Sequence, residues 1–121
     1  MTTVLTAPTE VDLTVYKGND YTKTFEIETS SGVALDLTNY TVKSQIRTRQ
    51  RRNAGLVVEF TATIDSPATD GEVTITLTDT QTAAVARSTG HWDLLLTDAA
   101  AFDEIYVYGK VTFKPTVTVK P

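Results

Sequence analysis

In "TVKSQIRTRQRRNAGLVVEFTATI", residues 41–64, two alternating runs flank a cluster of arginines. Val42, Ser44 and Ile46 fall on one face of the first run, and Lys43, Gln45, Arg47 and Arg49 on the other. In the second run Leu56, Val58, Phe60, Ala62 and Ile64 share a face. Successive side chains of a strand point to opposite sides, so a period of two reads as a half-buried β-strand. Both apolar sets are even-numbered and the runs are adjacent in sequence. They predict a hairpin around "RQRRNAG", because consecutive strands usually pair.

The same alternation extends in both directions. Towards the N-terminus, Val11, Leu13 and Val15 share a face, and Phe25 and Ile27 do so after the turn residues Gly18, Asn19 and Asp20. Leu35 and Leu37 read as plugs, with Tyr40 at a corner. Towards the C-terminus, Val73, Ile75 and Leu77 point inward, as do Trp92, Leu94 and Leu96. Ile105, Val107, Val111 and Phe113 follow, with Tyr106, Tyr108 and Lys110 outward. One short helical turn is predicted near residues 79–86, where Thr78 and Gln81 have capping-box spacing. About seven strands with turns every 8 to 12 residues predict an all-β chain: a single antiparallel β-sandwich of immunoglobulin-like type. Residues 1–121 read as one domain, with 1–9 a loose N-terminal arm. Residues 115–121 read as an extended C-terminal edge strand or arm, since Pro115 and Pro121 exclude a central strand.

Composition narrows the function. The chain has 121 residues, no cysteine, one histidine and a formal net charge of -4. Disulfides, thiolate zinc sites and cysteine nucleophiles are excluded together. The N-terminal segment lacks the basic and apolar regions of a signal peptide. No apolar run approaches the roughly 18 residues of a membrane span, so no membrane partner is expected. The overall acidity argues against a protein that tracks nucleic acid along its whole surface.

Several residues could carry function. Arg47, Arg49, Arg51 and Arg52 form a local basic cluster in which Arg47 could simply pair across the strand with Glu59. The cluster could instead dock on a protein, because the guanidinium fork binds carboxylates bidentately. Nucleic-acid binding is the third reading; four phosphate contacts would give a log–log salt slope of about -4, and no aromatics interleave to stack on bases. Protein docking is preferred. Tyr106 and Tyr108 form a second candidate contact patch, or a cross-strand aromatic ladder. His91 alone cannot make a zinc site. Asp65 and Asp70 lack the spacing of a calcium loop. No serine elbow is present. No cofactor, metal or catalytic residue is assigned.

Three stretches resemble a known family when taken together. They are "DLTVYKGNDYTKTFEIETSSGVALDLTNYTVKSQIR" (12–47), "DGEVTITLTDTQTAAVARSTGHWDLLLTD" (70–98) and "YGKVTFKPTVT" (108–118). They are similar to small β-sandwich proteins and domains of tailed bacteriophages, in particular the N-terminal domain of baseplate upper proteins. The resemblance implies a virion structural protein without enzymatic activity, assembled in the host cytoplasm, with other virion proteins and copies of itself as partners. In baseplate upper proteins this domain attaches to the tail and a following region carries receptor binding. The present sequence ends at Pro121, which favours a tail or baseplate adaptor or accessory. A capsid decoration protein and a receptor- or carbohydrate-binding module are the alternatives. "TVTVK" (116–120) is the first candidate for pairing with a partner's sheet edge.

Overall fold

A computed structural model describes residues 2–6, 8–29 and 31–118. Among these residues, ten strands build two sheets. The strands are β1 (Thr2–Thr6), β2 (Thr9–Glu10), β3 (Leu13–Tyr16), β4 (Tyr21–Glu28), β5 (Thr41–Arg47), β6 (Leu56–Glu59), β7 (Thr61–Ile64), β8 (Glu72–Leu77), β9 (Thr89–Thr97) and β10 (Asp103–Lys114). One sheet runs β1-β4-β8-β7. The other runs β2-β10-β9-β5-β6, with β3 also pairing with β10. The interior pairs are antiparallel, whereas β1 lies parallel to β4, and β2 and β3 lie parallel to β10.

Alternation builds this sandwich. Val73, Ile75 and Leu77 of β8 are buried between half-buried neighbours, and Trp92, Leu94 and Leu96 repeat the pattern in β9. An aromatic column ties the sheets together. Phe25 of β4 stacks on Trp92 of β9 at 5.6 Å, and Phe60 meets Trp92 edge-on at 6.1 Å. Tyr21 adds a ring 6.2 Å from Phe60. These separations lie in the favourable range for aromatic pairs. The one polar core position on β5, Ser44, is satisfied by donating its hydroxyl hydrogen to the Asp93 carbonyl at 2.6 Å.

The run 56–64 is two strands rather than one. β6 belongs to the sheet of β5, β7 to the sheet of β8, and Phe60 is the crossover between them. Strands that switch sheets form the corners of a sandwich. A bulge also breaks the expected register: Ile46 faces Val58, but Arg47 faces Leu56, leaving Val57 as the extra residue. The bulge turns Leu56 outward, where it is 51% exposed, although alternation places it in the core. This split, together with the N-terminal strands β1 and β2, raises the count from seven to ten.

The predicted turn near 79–86 is a short helix, α1 (Asp79–Ala83), and its capping box is complete. The buried Thr82 hydroxyl fastens it to the β3–β4 turn by accepting from the Gly18 amide and donating to the Asn19 carbonyl, both at 2.9 Å. The chain ends differ from expectation. Thr2–Thr6 is an edge strand on β4 and Thr9–Glu10 pairs with β10, where a loose arm is predicted. Thr116–Thr118 is exposed and outside any strand. Val119, Lys120 and Pro121 lie outside the described residues.

Candidate functional site

The outer face of β5, β9 and β10 follows from their register. Gln45, Asp93 and Tyr108 form one cross-strand row, flanked by Glu59 of β6 and Glu10 of β2. The next row holds Arg47, His91 and Lys110. On the other side stand Lys43, Leu95 and Ile105.

The arginine segment folds over this face. β5 ends at Arg47, so Arg49, Arg51 and Arg52 belong to the connecting loop, residues 48–55. The Thr48 amide closes the loop on the Gly55 carbonyl at 2.8 Å, and Ala54 is buried beneath it. Arg47 does not pair with Glu59. Its guanidinium donates from Nη1 to the Ala54 carbonyl and from Nη2 to Gln45 Oε1, each at 2.8 Å. It braces the loop, while Lys43 takes the Glu59 carboxylate at 3.8 Å. The reason is local: the bulge places Leu56 opposite Arg47 and brings a free loop carbonyl within reach.

Loop and sheet enclose a groove of about 480 Å³. Arg49, Arg51 and Arg52 line it with His91, Asp93 and Leu95. The loop arginines are exposed, and none forms an ion pair within 4 Å of a described carboxylate. Asp93 is exposed as a residue, yet its carboxyl lies in the concavity. Desolvation there raises its pKa, and the Arg47 and Arg52 charges pull it back.

The tyrosine pair is not a shared patch. A second bulge falls between Ile105 and Val107, so Ile105 faces Leu95 on the groove side, where alternation places it inward. Tyr106 packs against the core instead of pointing outward. Its hydroxyl pKa is pushed up to about 12, first by desolvation and then by Glu104 and other neighbours. Tyr108 remains on the outer face opposite Asp93. Trp92 is buried, with Nε1 donating to the Val11 carbonyl at 2.8 Å. Asp65 accepts from the Thr74 hydroxyl at 2.8 Å, and Asp70 sits in a 3-10 turn. Among the described residues no group of three or more His, Cys, Asp or Glu side chains is placed to hold a metal ion.

Sequence reasoning missed the second wall of the groove. Asp93 and Leu95 are the odd-numbered, outward positions of "HWDLLL", and their phase opposite Trp92 was the available signal.

This fold has a solved counterpart. The structure is similar to the N-terminal domain of phage TP901-1 ORF48, with a TM-score of 0.55, covering 94% of this chain and 99% of that one at 11% sequence identity. At that identity the likeness establishes the fold alone. No protein-family model and no curated protein matches the sequence.

Proposed function

We propose that this chain is a non-enzymatic structural component of a phage particle, a tail or baseplate adaptor that docks on neighbouring virion proteins. The observation that carries the reading is the shared fold over nearly the full length of both chains with a domain of a phage protein. The stretches 12–47, 70–98 and 108–118 support it from the sequence side. The docking surface is the arginine loop and the groove below it. Arg49, Arg51 and Arg52 are held on a loop that Arg47 and buried Ala54 fix in place. A loop backbone already held in place adds no ordering cost of its own on binding, and guanidinium groups take carboxylates bidentately.

A carbohydrate-binding reading keeps only Tyr108 of its three aromatic platforms, because Trp92 is only 3% exposed and Tyr106 packs on the core. Mass spectrometry of purified particles of the encoding phage tests the proposal. The protein is expected in the particle at a fixed copy number, cross-linked through loop 48–55 to a tail or baseplate protein. Its absence from intact particles would refute the reading.

A further inference from the structure

The groove and the far side of the sandwich carry opposite charge. Five basic side chains line the groove against Asp93 and Asp103, an excess of three positive charges with His91 neutral. The whole chain is at -4, so the rest of the molecule carries an excess of seven negative charges. Part of that excess is concentrated on the outer face of the other sheet. Phe25 and Ile27 of β4 point inward, so Glu26 and Glu28 point outward, and Glu26 stands directly opposite Glu72 of β8. Asp70 lies close by, just before β8. No described cation lies within 4 Å of any of these four carboxylates. Like charges directly opposite one another destabilise a sheet. The Glu26 pKa is raised, first by a hydrogen bond with Glu28, then by desolvation and the charges of Glu28, Glu72 and Asp70.

We propose that the groove under the arginine loop receives the Glu26–Glu28–Glu72 face of a second copy of this chain. The proposal rests on the reading of the protein as a docking subunit, and it names one partner of that docking surface. Charge complementarity selects the occupant: among the described residues, three loop arginines with no carboxylate within 4 Å on one sheet, and four carboxylates with no cation within 4 Å on the opposite sheet. The two patches occupy opposite faces of one sandwich, so the contact is head-to-tail. Such a heterologous contact closes into a ring when the rotation between copies closes, and otherwise grows into a stack. Each junction relieves the carboxylate repulsion on one copy and neutralises the arginines of the next. Its strength is salt-dependent, because charges farther apart than about 10 Å are screened at about 0.1 M salt.

Paired charge reversals test the contact. One variant carries Arg49→Glu, Arg51→Glu and Arg52→Glu; the other carries Glu26→Lys and Glu72→Lys. All five positions lie on outer surfaces, and matching thermal unfolding serves as the folding control. By analytical ultracentrifugation at about 0.05 M salt, the wild type is expected to associate with rising concentration. Each variant alone is expected to self-associate on the order of a hundredfold more weakly, the scale of losing close charge pairs. Mixed together, the variants should associate again in alternating, equimolar order, because the intact acidic face of the first fits the intact groove of the second and the reversed groove of the first fits the reversed face of the second. A wild type that stays monomeric, variants that associate like the wild type, or a mixture that does not pair would each overturn the proposal. Polyglutamate binding that is lost in the arginine variant, on a monomeric wild type, would assign the groove to an acidic segment of a different protein. Normal particle incorporation of the arginine variant would instead sink the docking reading itself.

Discussion

Phe60 joins two strands in different sheets while its ring fills the aromatic column between them. It is 3% exposed and lies within about 6 Å of both Tyr21 and Trp92. Phe60→Ala should therefore cost on the order of 3 kcal/mol or more, the usual loss for a buried aromatic, as measured by urea denaturation. A loss below about 1 kcal/mol would contradict its place in the core. Tyr21 gives a pH signature. Burial pushes its hydroxyl pKa up to about 12, from an ordinary value near 10. Below pH ~10 the hydroxyl is neutral in both folded and unfolded chains, and its contribution is fully present. Between pH ~10 and ~12 the unfolded chain ionises first, so stability falls as pH rises. Denaturation midpoints at pH 8 and pH 11 should drop more for the wild type than for Tyr21→Phe. An equal drop in both would show that Tyr21 does not contribute. The sites divide in the same way at this scale. The charge of the arginine cluster was legible in the sequence. Which arginine is structural was not, because Arg47 is committed by a carbonyl that only the folded loop presents.

At the scale of elements, the long strand β10 depends on one close approach. β2 and β3 pair with successive halves of it, and the chain between them crosses at Gly109. A Cβ at Gly109 would lie 2.0 Å from the Val11 carbonyl oxygen, which also accepts from Trp92. Gly109→Ala should displace β2 and β3 and cost about 3 kcal/mol or more, at the upper end of overpacking effects. Unchanged amide-exchange protection at Leu13 and Val15 would refute this. The alternation of β8 and β9 was readable because nothing interrupts it. Leu56 of β6 and Ile105 and Tyr106 of β10 were misread because a bulge separates them from the rest of each strand, and an inserted residue carries no compositional mark. The edge strand Thr2–Thr6 escaped notice because "TTVLT" has one short alternation and a partner, β4, some twenty residues away. The groove was hidden for a similar reason. Gln45 and Asp93 meet only through long-range pairing of β5 with β9.

At the scale of the whole molecule, an arginine-lined groove over one sheet and a carboxylate cluster on the other lie on either side of one aromatic core. The fold positions the arginine loop above β5 and β9, and the bulge that turns Leu56 outward also lets Arg47 brace it. The central claim is that this loop docks the protein in a particle. Its most direct test is the copy number of an Arg49→Ser, Arg51→Ser, Arg52→Ser variant in purified particles, leaving the bracing Arg47 intact. Thermal unfolding of the variant should match the wild type, because the three side chains are exposed. Its incorporation should fall by about tenfold or more, the effect of losing one or two charge-assisted pairs at an interface. Incorporation at the wild-type level, with the fold unchanged, would contradict the account.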